Sequence, residues 1–226
     1  MLGTIVNTST ILVGSIAGSV IRKGIKEEYK EVLFNAMGLA AAGLGIRSVV
    51  VNMGNSNYPV LFIVALALGS LIGEMLDIDS AFQKLVAKFS GKGRLGEGLS
   101  TGILLYCIGT LSILGPINSA LYGDHTYLFT NATLDLVTST VLGSAYGIGM
   151  TLAAGVLFLW QGGIYLLASM LGDFMSPDMM TEISVVGGFL IASSGISILG
   201  IKKFKTLNML PCLLVPVIFF VAKSFF

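Results

Sequence analysis

Residues 125–163 read HTYLFTNATLDLVTSTVLGSAYGIGMTLAAGVLFLWQGG, and the reading of the fold turns on this stretch. Two apolar runs flank a break at Ser144–Gly149. Asp135 lies near the middle of the first run, with Asn131, Thr133, Thr138, Ser139 and Thr140 around it, and the second run carries Trp160 and Gln161. A carboxylate at bilayer depth costs roughly 2.5 kcal/mol or more, so it is seldom there for packing alone. Two readings of Asp135 stay open: a structural group bonded to neighbouring hydroxyls, or part of an ion or substrate path. Desolvation disfavours the ionised form, so such a carboxyl is easier to keep neutral than one in water. That suits a group that takes a proton from one side and releases it to the other. Gln161 is placed to orient it if the break folds the two runs together.

Outward from this stretch, eight apolar segments are legible at about 2–21, 32–52, 59–76, 98–116, 127–144, 149–171, 182–200 and 207–225. Several reach the roughly 18–20 residues a spanning helix needs. The chain is 54% hydrophobic and 11% charged, against about 25% charged in ordinary soluble domains. Continuous runs, not short alternating segments, exclude a β-barrel. The expectation is an all-α integral membrane protein of about eight transmembrane helices, one transmembrane domain over residues 1–226.

Basic residues set the orientation. Eleven of the 13 fall in three connections: Arg22, Lys23, Lys26 and Lys30; Lys84, Lys88, Lys92 and Arg94; Lys202, Lys203 and Lys205. With eight spans all three lie on one side, which the positive-inside rule makes cytoplasmic. Both termini then lie outside. With seven spans the Lys202–Lys205 group falls on the wrong side. No cleavage motif follows the first run, so residues 2–21 read as a retained span. Within 77–97, Ile78, Ala81, Phe82, Leu85, Val86 and Phe89 recur at helical spacing with Lys84 and Lys88 off the stripe. This is an amphipathic helix, lying on the cytoplasmic leaflet or capping the bundle.

Glycines repeat. Gly14-Ser15-x-x-Gly18 closes the first span, Gly69-Ser70-x-x-Gly73 closes the third, and Gly162-Gly163 lies in the sixth. Each is followed by a helix with two glycines seven apart: Gly38 and Gly45, Gly102 and Gly109, Gly188 and Gly195. Seven residues is two turns, so each pair lines one face and admits a neighbouring backbone. Aligned without gaps, 14–46 and 164–196 match at Ser19/Ser169, Gly38/Gly188, Ala42/Ala192, Gly45/Gly195 and Ile46/Ile196. The connections that follow differ in charge: 22–31 carries four bases, while 172–182 carries none and holds Asp173, Asp178 and Glu182. Inverted-topology repeats are a recurring plan of secondary transporters. The repeat-like halves are 1–76 and 149–226, flanking 77–148. Glycine-lined faces and small size also suggest a homodimer.

Candidate pathway residues are Asp135, Gln161, Glu74, Asn7, Asn208 and Ser139. Glu74 follows Gly73 near the end of the third span, as a solvated acid or one end of a proton or cation path. Asn7 and Asn208 add amides inside or at the edges of spans, more often used between helices. Cys107 and Cys212 lie in apolar runs without ligand spacing, and His125 is the single histidine, so no metal site is expected. No phosphate-cradling Gly-Lys-Ser/Thr motif occurs, which argues against ATP-driven transport and leaves no cofactor to name. A net charge of +1 argues against nucleic acid.

The opening Met1–Thr8, Gly69-Ser-Leu-Ile-Gly73-Glu74, Gly123-Asp124-His125, Asp135, Gln161-Gly162, Gly187-Gly188 and Asn208-Met-Leu-Pro211 together resemble the domain-of-unknown-function 554 family of bacterial multi-pass membrane proteins. The resemblance covers essentially the whole chain and implies a protein of the bacterial plasma membrane and a suspected transporter. The reading is a secondary transporter, not an enzyme, moving a small solute or ion, with proton or cation coupling. A membrane scaffold or binding protein and an ion channel are the alternatives. Its partners are the lipid bilayer, the solute or ion, and a second copy of itself.

Overall fold

A computed structural model of the chain describes residues 1–21, 26–89, 94–172 and 176–223. Arg22, Lys23 and Lys92, three of the bases used for orientation, lie outside them. Among the described residues regular structure is entirely helical. The elements are α1 (Leu2–Val20), α2 (Glu27–Met53), α3 (Leu61–Leu76), α4 (Ile78–Phe89), α5 (Arg94–Ile108), α6 (Thr110–Leu121), α7 (Thr126–Tyr146), a 3-10 turn (Ile148–Thr151), α8 (Leu152–Leu171), α9 (Pro177–Ile198), a 3-10 segment (Thr206–Leu213) and α10 (Leu214–Lys223).

Five helical stretches are long and apolar enough to cross a membrane: α1, α2, the 3-10 turn with α8, α9, and the 3-10 segment with α10. Two bent pairs raise the number to seven, α3 with α4 at 43° and α5 with α6 at 45°. Helix α7 is 21 residues long, but its Asn, Thr, Ser and Asp content keeps it out of that set. Val20, Met75, Leu159 and Met170 are each more than 70% exposed. Apolar side chains turned outward suit lipid, where polar groups must be satisfied inside the protein.

Two expected continuous spans are interrupted. The run at 98–116 breaks at Gly109, whose extended backbone (φ −60°, ψ 138°) stops α5 and starts α6. The last run begins as 3-10 helix, and Pro211 inside it has no N–H to donate. The break at Ser144–Gly149 is present as read. Helix α7 ends on Tyr146, and Gly147 takes φ +89°, a conformation that L side chains resist.

The chain forms two compact units, residues 1–34 with 82–172 and residues 35–81 with 173–226. These boundaries differ from the repeat-like halves at 1–76 and 149–226. In the first unit α1 lies along α7, and α5, α6 and α8 complete the packing. Residue numbers rise together across the α1–α7 contact: Gly3 meets Leu128, Gly14 meets Ser139, and Gly18 meets Thr140 and Ser144. The two helices therefore run in the same direction. Helices α5 and α6 run against α7, with Gly102 near Leu142 and Gly115 near Leu128. Phe82 and Val86 of α4 enter this unit's core, Phe82 lying 5.3 Å from Trp160 between ring centroids, while Lys84, Leu85 and Lys88 stay exposed.

The second unit joins α2 to α9 and α3 to the 3-10 segment and α10. A Cβ on Gly45 would collide with the Ala192 backbone and lie 2.6 Å from Gly188 O; one on Gly195 would collide with the Ala42 backbone and lie 2.7 Å from Gly38 O. Helices α2 and α9 run antiparallel, and α3 is antiparallel to the 3-10 segment, with Gly69 on Cys212 and Gly73 on Asn208. The glycine faces that suggested a homodimer are thus largely occupied by contacts within the chain.

Candidate functional site

In the first unit, one face of α1 buries Thr4, Asn7, Ile11, Gly14, Ser15 and Gly18. Steps of three and four residues place them in one stripe. The facing stripe of α7 carries Leu128, Asn131, Ala132, Asp135, Ser139 and Gly143. Glycines bring the later halves of the two helices into backbone contact. A Cβ on Gly14 would strike Ser139 Oγ, one on Gly18 would strike Thr140 O, and one on Gly143 would lie 2.5 Å from Ser15 O. The polar groups Asn7, Asn131 and Asp135 sit nearer the N-terminal ends.

Asp135 is 4% exposed, and its Oδ2 accepts a 3.0 Å hydrogen bond from Asn131 Nδ2, one turn earlier. Asn7 of α1 also acts on this carboxyl, although its Nδ2 forms no hydrogen bond of ordinary geometry. Tyr106 and Cys107 of α5, which packs on α7, are buried on the same side of the unit as Asp135. Helices α1, α6, α7 and α8 contain neither lysine nor arginine. The nearest basic residue on α5, Arg94, is twelve residues from Tyr106, about 18 Å along the helix.

Ser139 is buried, but its hydroxyl donates to Leu136 O at 3.1 Å, one turn back, while packing against Gly14. Thr138 and Thr140 bond back to Leu134 O and Leu136 O in the same manner. The hydroxyls around Asp135 therefore serve their own helix, and the Asn131 amide serves the carboxyl. Gln161 is fully buried, yet its Nε2 donates to Ser112 Oγ of α6 at 3.0 Å. The expected bond from Gln161 to Asp135 is replaced by this one, because α8 packs on α6.

Among the described residues, the buried side-chain polar atoms without a hydrogen-bond partner are Thr4 Oγ1, Asn7 Nδ2, Ser15 Oγ, Tyr106 Oη, Trp160 Nε1 and Gln161 Oε1. All six belong to the first unit. Leaving such a group unsatisfied costs about 1–3 kcal/mol.

Glu74 and Asn208 belong to the second unit and form a different device. Glu74 Oε1 pairs with Lys205, and Glu74 Oε2 accepts from Asn208 Nδ2 at 2.7 Å. Asn208 Oδ1 in turn accepts from Asp79 N at 2.7 Å, in the first turn of α4. Asp77 between α3 and α4 takes a left-handed conformation, φ 46°. Asn208 thus ties both sides of the α3–α4 bend. The hydrogen bond to Glu74 holds the Lys205 ammonium above its ordinary range.

The sequence reading left three groups out of the candidate site. Asn131 is the direct partner of Asp135, which the i, i+4 spacing could have signalled. Tyr106 carried no signal, because only packing brings it near Asp135. Glu182, read only as a loop charge, is 2% exposed and accepts from Ser56 Oγ at 2.5 Å and Tyr58 N at 3.1 Å, fastening the 54–60 connection to α9.

Long apolar helices with lipid-suited exteriors and a carboxylate packed inside define a multi-pass α-helical membrane protein. The family described as "Protein of unknown function (DUF554)" matches residues 2–221, and the chain belongs to it. It is 55% identical over 226 residues to the uncharacterized membrane protein YdfK of Bacillus subtilis (strain 168), covering 100% of this chain and 98% of that one. It is 30% identical over 224 residues to the uncharacterized protein YqgA of Escherichia coli (strain K12), covering 95% and 94%. No solved structure matches.

Proposed function

We propose that this protein is a secondary carrier of the bacterial plasma membrane, moving a small solute or ion with proton or cation coupling at Asp135. The observation that carries the reading is the buried Asp135 carboxyl, bonded by the Asn131 amide, with no lysine or arginine on α1, α6, α7 or α8. An unbalanced carboxylate inside a bilayer favours taking up a proton or a cation. The unpartnered polar atoms of the same unit support a polar route through it.

The proposal includes eight spans: the five helical stretches, α3, the bent pair α5–α6, and α7, with α4 in the connection after α3. The helix directions support it. Alternating crossings make the first and fifth spans parallel, and α1 and α7 are parallel. They make the second and seventh antiparallel, as α2 and α9 are, and likewise the third and eighth. The basic connections are then cytoplasmic and both termini external.

An inverted repeat is also part of the proposal. Under an offset of 150 residues, the Gly45–Gly188 contact maps onto Gly195–Gly38, and Gly45–Ala192 onto Gly195–Ala42. These paired distances agree to within 0.1 Å, 2.6 and 2.7 Å to the glycine oxygens and 2.7 and 2.8 Å to the alanine Cα atoms. Two antiparallel helices related in this way share a two-fold axis perpendicular to them, as inverted repeats require.

Counterflow in proteoliposomes tests the carrier reading. Preloaded solute that drives uptake of labelled solute supports it. Conductance without exchange marks a channel, and neither activity across a metabolite and ion panel marks a scaffold.

A further inference from the structure

We infer that the Asp135 carboxyl, bracketed by Asn131 and Asn7, is a proton-binding site that does not take metal cations; resting on the carrier reading above, the proton is the coupling ion. The groups turned to the carboxyl decide this. Asn131 donates its Nδ2 to the carboxyl at 3.0 Å, and Asn7 lies toward it from α1 with an Nδ2 that has no hydrogen-bond partner. A hard cation is held by several oxygen ligands, and the Asn131 N–H aimed at the carboxyl opposes it there.

An amide suits a proton in either state. Its NH2 donates to a carboxylate, and its C=O accepts from a carboxylic acid O–H. Rotation of the Asn7 or Asn131 amide therefore serves both protonation states with the helices unmoved. A metal ion would instead need both amides reversed at once and further oxygens beyond these three side chains.

The other elements packed on α7 leave the site's charge to Asp135. Helix α5 contributes the Tyr106 phenol and the Cys107 thiol, both buried. The stripe of α1, helix α6 and the 3-10 turn at Ile148–Thr151 contain no titratable side chain.

The test is infrared difference spectroscopy on the full chain in lipid vesicles while pH is stepped. The expected result is a carboxylic-acid C=O band that appears on acidification. Asp135→Asn removes it, Asp135→Glu moves it, and Asn131→Leu shifts its frequency because an amide partner is lost. At fixed pH, exchanging K⁺ for Na⁺ or Li⁺ leaves the band unchanged. A titrating band absent from the wild type, insensitive to Asp135→Asn in a correctly folded variant, or abolished by Na⁺ at constant pH overturns the inference. Circular dichroism and monodisperse elution establish folding for each variant. Counterflow on the same vesicles is read separately, so an intact band without exchange counts against the carrier reading and not against the proton site.

Discussion

Asn208 donates through Nδ2 to Glu74 Oε2 at 2.7 Å while its Oδ1 receives Asp79 N at the same distance. One buried amide thereby holds the end of α3 and the start of α4. Asn208→Ala removes both bonds and is expected to lower stability by about 1–3 kcal/mol. Glu74→Gln keeps the shape and loses only an exposed ion pair, so its effect is expected to be small and to vanish in high salt. Thermal unfolding in detergent at low and high salt checks both. Equal losses for the two variants would show that the charge, not the amide, holds the bend.

The glycines divide by what faces them. Gly18 has Thr140 O against it, so Gly18→Ala pushes α1 off α7 and is expected to cost about 1–3 kcal/mol. Gly43 has nothing within 4 Å of an added Cβ, and Gly43→Ala is expected to be neutral or to stabilise α2 by up to about 1 kcal/mol. Denaturation midpoints of the two variants measure the contrast.

Orientation is read with single cysteines in a chain whose Cys107 and Cys212 are replaced. Lys84 and Asp178 are exposed positions on opposite sides of the proposed topology. An impermeant thiol reagent added to intact cells is expected to label Asp178→Cys and to reach Lys84→Cys only after permeabilisation. The reverse pattern inverts the topology, and labelling of both from outside removes the eight-span count.

Asp135→Asn preserves size and loses titration, and it is expected to abolish coupled uptake while the protein still inserts and folds. Asp135→Glu keeps a titratable group one methylene further out and is expected to retain part of the uptake. Solute uptake driven by an imposed pH gradient, against uptake by exchange alone, separates coupling from passage. Full coupled uptake by a well-folded Asn variant would reduce Asp135 to a structural hydrogen-bonding residue.

Sequence by itself determined the class and most of the helix positions, because length and hydropathy are local properties that a bilayer reads directly. The break at Gly147, the helix at Ile78–Phe89 and the close-packing role of Gly38, Gly45, Gly188 and Gly195 were all legible from spacing. Tertiary structure decided partners. Gln161 bonds Ser112 instead of Asp135, Ser139 turns back on its own helix, and Glu74 is tied to Asn208 and Lys205. Sequence marks which buried polar groups must be satisfied, but many donors and acceptors of the same kind are available in a glycine-rich bundle. Which of them meet depends on helix direction and register, and those are fixed by where glycines admit a neighbouring backbone.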